Sequence, residues 1–135
     1  MQDVAINFAA VAAAAAIRVV ATGIWYSPAV FGRSWEALTG ISQQETQECA
    51  RTGLPADIAG SLLLAFVLVH ALRYAGAASV SDALMVGFWN WVGFIAVTTL
   101  SVTVWEKRPL KLYVLYNGLQ LLVMLAASVV LTLWK

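Results

Sequence analysis

Residues 109–134 read PLKLYVLYNGLQLLVMLAASVVLTLW, a stretch whose one charged side chain is that of Lys111, near its start. An α-helix rises about 1.5 Å per residue, so about 20 apolar residues cross the roughly 30 Å hydrocarbon layer of a membrane. Pro109 suits the first turn of a helix, and Trp134 suits the membrane interface. Because apolar and polar residues do not alternate, the stretch predicts a spanning helix rather than a strand.

Three further stretches meet the same length, at about residues 4–26, 55–74 and 82–105. The whole chain has 135 residues, of which 61% are hydrophobic and only 11% charged, with a mean hydropathy of +0.81. Soluble domains are about half apolar and about a quarter charged, so this composition excludes disorder and an ordinary soluble enzyme. We predict an all-α fold: one integral membrane domain over residues 1–135, built as a four-helix transmembrane bundle.

The connection between the first two spans contains two further helix signals. Ser42 and Glu45 have the spacing of a capping box, which predicts a helix from about Gln43 that stops at Gly53, before Pro55 opens the second span. In the preceding part, three apolar residues lie three or four apart, which is typical of a short amphipathic helix at the membrane interface: Phe31, Trp35 and Leu38. Ser81 and Asp82 are the predicted caps of the third span.

Arg18 is the residue whose position in the hydrocarbon costs most. It lies about eight residues before Tyr26, on the order of 11 Å below the interface, and its helical neighbours are mostly small, so we expect it to point into the bundle. Polar residues in the same half are candidate partners: Asp57, Ser61, Thr98, Thr99, Glu106, Asn117 and Gln120. Arg18 serves either a site for an anion, proton or substrate, or a structural pair, including one at a subunit contact.

The third and fourth spans carry further uncharged polar residues. With Arg18 they form the predicted intramembrane polar cluster: Arg18, Asn90, Thr98, Asn117 and Gln120. The cluster is either a polar path between helices or a set of interhelical hydrogen bonds, with glycines such as Gly87 permitting close packing.

Motifs for catalysis are absent from the sequence, which has no GxSxG, HExxH or phosphate-binding loop. Cys49 is the single cysteine and His70 the single histidine, too few for a zinc site. We interpret His70 as an interfacial polar tip rather than a haem or pigment ligand. We therefore predict no catalytic residue, no cofactor, no metal and no enzyme, and the net charge of +1 gives no field suited to nucleic acid.

Residues 23–35, GIWYSPAVFGRSW, resemble the signature of the small bacterial membrane proteins called domain of unknown function 1761. Residues 106–112, EKRPLKL, and Asn117-Gly118 resemble it as well. The resemblance implies four helices with these strings at one membrane face, and it supplies no activity. They form a predicted rim with aromatic and charged side chains: Trp25, Tyr26, Arg33, Trp35, Glu106, Lys107, Arg108 and Lys111. Such a rim suits anionic lipid headgroups, an acidic partner or an anionic substrate.

Basic residues also predict the orientation. The first and third loops carry five, Arg33, Arg51, Lys107, Arg108 and Lys111, while the termini and the second loop carry two, Arg73 and Lys135. This bias places the first and third loops in the cytoplasm of a bacterial inner membrane and both termini in the periplasm.

Two functions remain open from the sequence. The first is an accessory subunit that packs with copies of itself, as a homo-oligomer, or with a larger membrane complex; here Arg18→Leu is expected to change the assembly. The second is a small oligomeric transporter or channel for an anionic or neutral solute. Proton-coupled cation export is disfavoured, because no acidic residue lies deeper than about one turn from a predicted span end.

Overall fold

The computed structural model describes residues 3–135, and within them every regular element is a helix. The five helices are α1 (Phe8–Trp25), α2 (Gly32–Thr39), α3 (Gln43–Tyr74), α4 (Val80–Trp105) and α5 (Leu110–Leu133). All except α2 are long and apolar enough to cross a membrane. The prediction of an all-α chain with four span-length helices and a short helix between the first two is confirmed.

Two helix starts differ from the prediction because side chains cap the backbone there. Asn7 ends the extended segment before α1, since its Oδ1 accepts from the backbone N of Ala9 at 3.0 Å, so the helix begins at Phe8 rather than Val4. Before α4, Ser79 accepts from the N of Asp82, whose carboxylate accepts from the N of Ser79 in return. The predicted cap Ser81 is therefore wrong, because Ser79 is the N-cap residue two positions earlier, whereas the predicted cap Asp82 does accept backbone hydrogen bonds at this helix start.

Helix α3 is longer than predicted and passes without a break through Gly53 and Pro55. The capping box of Ser42 and Glu45 starts it as expected, but the predicted stop at Gly53 is wrong. Pro55 removes only the hydrogen bond to the Arg51 carbonyl, and every residue from 47 to 56 is exposed, so surrounding water can satisfy that carbonyl. The first third of α3 therefore extends beyond the bundle as an exposed helix.

Helix α4 contains a π-helical segment, Trp91–Ala96. On the side of α4 that packs against α5, the contacting residues follow four-residue steps, Ala83, Gly87 and Trp91, and then a five-residue step to Ala96. The extra residue keeps the α5 side in phase along the helix. The hydrophobic pattern of the sequence does not predict this π-helical segment, because the segment depends on how α4 packs against α5.

Helix α5 is the central element: α1 and α4 both pack against it, and α1 also packs against α3. The apolar core lies in the half of the bundle that holds the α3–α4 turn, where alanines of α1 meet Leu68 and Leu72 of α3 and Leu131 of α5. Small side chains allow this close approach. The other end of the bundle, which we call the loop face, is formed by residues 26–54 and by the α4–α5 turn at residues 106–109.

Candidate functional site

Arg18 forms an ion pair inside the chain, between α1 and α3. Its Nη1 donates to Asp57 Oδ1 at 2.6 Å and to Ser61 Oγ at 2.7 Å. The side chains of Arg18 and Asp57 are 18% and 31% exposed, and the Ser61 hydroxyl donates in turn to the Asp57 carbonyl. Both partners were among the candidates named from the sequence. Asp57 neutralises the charge of Arg18 within one molecule, while Arg18 Nε is buried without a partner among residues 3–135.

Asn117 lies in a different contact, between α4 and α5. Its Oδ1 lies 3.0 Å from Thr99 Oγ1, whose hydroxyl also lies 2.7 Å from the Ile95 carbonyl, and its Nδ2 donates to the Tyr113 carbonyl at 2.9 Å. Trp91 Nε1 donates to the backbone carbonyl of Asn117 at 3.1 Å, and the Tyr113 hydroxyl donates to the Ala96 carbonyl at 2.9 Å. The side chain of Asn117 is thus buried with polar contacts to both helices, as expected of interhelical hydrogen bonding.

Asn90 occupies a third place, in the groove between α3 and α4. The groove has a volume of about 360 Å³, and apart from Asn90 its walls are apolar. Asn90 Nδ2 donates to the Val86 carbonyl of its own helix at 2.8 Å, and no donor within residues 3–135 reaches its Oδ1. Asn90 lies near the middle of α4, about 15 Å along the helix from Val80 and about 22 Å from Trp105.

The remaining two residues of the predicted cluster, Thr98 and Gln120, form no hydrogen bond with Arg18, Asn90 or Asn117. Thr98 is exposed and its hydroxyl donates to the Phe94 carbonyl of the same helix at 2.7 Å. Gln120 is half-buried on α5. The five predicted residues therefore do not share one network, because Arg18, Asn90 and Asn117 belong to three separate contacts.

The aromatic residues of the rim attach the loop face to α5. Trp25 Nε1 donates to the Leu115 carbonyl at 3.1 Å, and Trp35 Nε1 donates to the Tyr116 hydroxyl at 3.3 Å. Tyr26 lies between them, with ring centroids 5.8 Å from Trp35 and 6.2 Å from Tyr116. The amphipathic helix α2 is thereby held against the bundle. These tryptophan N–H groups donate to other residues of the protein rather than to headgroups.

Gly32 makes the turn into α2 possible. Its N–H donates to the Ser27 carbonyl at 2.9 Å, and a Cβ at this position would overlap the carbonyl oxygens of Tyr26 and Ser27. A side chain would therefore force the first connection to move. This accounts physically for the glycine in the string GIWYSPAVFGRSW.

The charged residues of the rim are exposed around the α4–α5 turn and on α2. Arg108 Nε contacts Glu106 Oε2 at 2.6 Å, while Arg33, Lys107 and Lys111 are exposed cations. A small cavity of about 190 Å³ lies beside Arg108, between α4 and α5. The sequence reasoning missed Tyr116 and Thr103 in its wall. The spacing of Tyr113, Tyr116 and Asn117 on one helix face was the available signal.

Comparison with known proteins shows the family. Searches of the curated proteins and of the solved structures find no significant match to the chain. The family described as "Protein of unknown function (DUF1761)" matches residues 9–132, which include all four span-length helices almost completely. The match also includes Gly32, the rim and the turn at residues 106–109, and on this extent the chain belongs to the DUF1761 family.

Proposed function

We propose that this protein is a helix-packing subunit of the bacterial inner membrane, and that it associates with a second copy of itself through the groove between α3 and α4. The observation that carries the proposal is the Asn90 carboxamide, whose Oδ1 lacks a donor within residues 3–135. Lipid chains offer no hydrogen bond, so a polar group at this depth favours a protein partner.

A second copy is the partner that matches Asn90 chemically. A carboxamide carries both donor and acceptor, so two of them can bond to each other reciprocally. A two-fold axis along the membrane normal places Asn90 and Asn90 of the partner subunit at the same depth. Arg18 pairs with Asp57, and Asn117 contacts Thr99 and Tyr113, within the chain, so of these three contacts only that of Asn90 leaves a carboxamide oxygen in an apolar groove without a donor among residues 3–135.

The surroundings of Asn90 leave room for another helix. The groove is lined by Leu64 and Leu68 of α3, Phe94 of α4 and Met124 of α5. Gly93 has no atom within 4 Å of the position where a Cβ would stand, and Phe94 is 75% exposed. An open glycine beside a polar residue allows two helices to approach closely, and the apolar walls then pack around the hydrogen bonds.

Asn90→Leu is expected to weaken the dimer about tenfold in detergent or bilayer. A hydrogen-bonded amide pair inside the membrane contributes about 1–2 kcal/mol to the free energy of association. The dimer fraction is measured against protein-to-lipid ratio by energy transfer between labelled copies. Asn90→Gln keeps the carboxamide and is expected to retain most of the association. A dimer constant that Asn90→Leu leaves unchanged contradicts the proposal.

Cross-linking locates the interface independently. Cys49 is the single cysteine, so Cys49→Ser gives a background in which one new cysteine reports one site. Phe94→Cys is expected to form a disulfide-linked dimer in oxidised membranes. The matched control is Leu122→Cys, which is 55% exposed at a similar depth on α5 but lies on the α1 side. Equal cross-linking at both positions argues against this groove.

The proposed orientation has the loop face in the cytoplasm. In support, the five basic residues of the first and third loops all lie at this end of the bundle, whereas Arg73 and Lys135 lie at the other end. Membranes of bacteria retain such positive loops on the cytoplasmic side.

Cys49 tests this orientation without any mutation. It lies on the exposed first third of α3, at the loop face. A membrane-impermeant maleimide is expected to leave Cys49 unlabelled in intact spheroplasts and to label it after lysis. Labelling before lysis reverses the orientation.

A further inference from the structure

We propose that the cavity beside Arg108 binds the phosphodiester headgroup of an anionic phospholipid. The cavity lies between the loop-face ends of α4 and α5 and has a volume of about 190 Å³. It is smaller than the usual site for a drug-sized ligand, so it suits one small polar group with part of an attached chain. Its polar wall is formed by Thr99, Thr103, Arg108, Tyr113, Tyr116 and Asn117.

Arg108 supplies the charge for this site. Its Nε is bound to Glu106 at 2.6 Å, and neither Nη group has a partner among residues 3–135. The side chain is 49% exposed, so the guanidinium stands at the mouth of the cavity where a ligand can reach it. Planar guanidinium groups bind phosphate oxygens through paired N–H donors.

Tyr116 of α5 supplies a second donor. Its hydroxyl oxygen accepts from Trp35 Nε1 at 3.3 Å, which leaves the hydroxyl proton free for another acceptor. Tyr113 differs, because its hydroxyl proton is donated to the Ala96 carbonyl. The cavity thus joins one free phenol proton to the free end of one guanidinium.

The rest of the cavity suits a lipid better than a soluble anion. Val102 and Leu112 also line it, and inorganic phosphate would leave these apolar walls without a contact. The α4–α5 turn is where the chain leaves the two spans, which is the depth of headgroups. Lys107 and Lys111 add two exposed cations near Arg108, against the single acid Glu106.

The backbone conformation of Lys107 is unusual for a residue with a side chain. Arg108 N donates to the Thr103 carbonyl at 3.0 Å and Lys107 N to the Val104 carbonyl at 3.4 Å, which is the Schellman pattern at a helix end. Lys107 has φ 53°, whereas Gly76 takes this position, with φ 70°, at the end of α3. Lys107 thus holds a conformation that favours glycine, and we take its exposed charge, beside the cavity, as part of the proposed site.

The test measures lipid binding to the purified full chain in neutral detergent by native mass spectrometry. Short-chain phosphatidylglycerol is expected to bind at least tenfold more tightly than phosphatidylcholine of the same chain length. Arg108→Gln is expected to weaken that binding about fivefold, as expected for one cation near a headgroup. Arg51→Gln removes an exposed cation of the same face, on α3, and is expected to change nothing.

Lys107→Gly separates binding from folding. This variant is expected to bind phosphatidylglycerol more weakly while its thermal unfolding midpoint rises, because glycine adopts the positive φ without strain. Asn90→Leu is expected to bind the lipid normally, which keeps this inference independent of the proposed dimer. Equal binding of the two lipids, equal losses in Arg51→Gln and Arg108→Gln, unchanged binding in Lys107→Gly, or displacement by inorganic phosphate at the lipid's own concentration overturns the inference.

Discussion

Arg18→Leu is expected to lower the free energy of unfolding by about 2–3 kcal/mol, because it leaves the Asp57 carboxylate without its counterion. The estimate lies below the about 3–5 kcal/mol expected for a fully buried pair that loses one partner, since Asp57 is 31% exposed and water can reach part of it. The measurement is unfolding by a denaturing detergent, followed by the fluorescence of the six tryptophans.

The double variant Arg18→Leu, Asp57→Leu distinguishes a pair from two independent charges. Removing both charges leaves neither group uncompensated, so we expect the double variant to be more stable than either single one. Glu106→Gln is the matched control, because it breaks an ion pair in which both side chains are about half exposed, and exposed pairs contribute little. A double variant as unstable as the sum of the singles contradicts a coupled pair.

The internal pairing of Arg18 also changes what its loss is expected to do. From the sequence, an arginine at this depth predicted either a site for an anion, proton or substrate, or a structural pair, including one at a subunit contact. The 2.6 Å contact with Asp57 pairs its charge inside one chain, so we expect its loss to affect folding more than assembly. We propose that Asn90 instead binds a partner outside the chain. Because its side chain is uncharged, the free energy of keeping it in lipid before association is lower than that of an arginine.

Features that depend on neighbouring residues could be predicted from the sequence. The capping box of Ser42 and Glu45 starts α3 where the spacing predicted, because both hydrogen bonds join groups three residues apart. The short helix Gly32–Thr39 follows from apolar residues three or four apart. The four span-length helices follow from hydropathy alone, which needs no knowledge of their partners.

Features that depend on competition between groups far apart in the sequence could not be predicted from the sequence. Arg18 and Asp57 are 39 residues apart, and the sequence offered seven polar residues in the same half of the bundle as candidate partners, with Thr98 and Gln120 closer to Arg18 in depth than Asp57. The break at Gly53–Pro55 failed as a prediction because local propensity was outweighed by the continuous helix on either side. The π-helical segment Trp91–Ala96 depends on how α4 packs against α5. The sequence of α4 alone does not show that packing.

Gly87 lies at a close contact between α4 and α5, and its replacement is expected to have the second large effect. A Cβ at Gly87 would lie 2.6 Å from Ser128 Oγ, 3.1 Å from the Met124 carbonyl and 3.2 Å from Ser128 Cβ. Even alanine therefore overpacks the contact, at an expected cost of about 1–3 kcal/mol. Leucine cannot be accommodated unless the helices separate, and α4 has α5 as its main support.

The identity of the clashing atom gives this prediction its internal check. Ser128 Oγ is fully buried and has no hydrogen-bond partner among residues 3–135, so Ser128→Ala alone is expected to leave stability unchanged or raise it. In the Gly87→Ala background it removes the 2.6 Å overlap but not the other two contacts, so rescue should be partial. Gly60→Ala is the control: with no atom within 4 Å of its Cβ position, it should stabilise α3 slightly through helix propensity. Thermal unfolding that treats Gly87→Ala and Gly60→Ala alike would mean that α4 and α5 do not meet at Gly87.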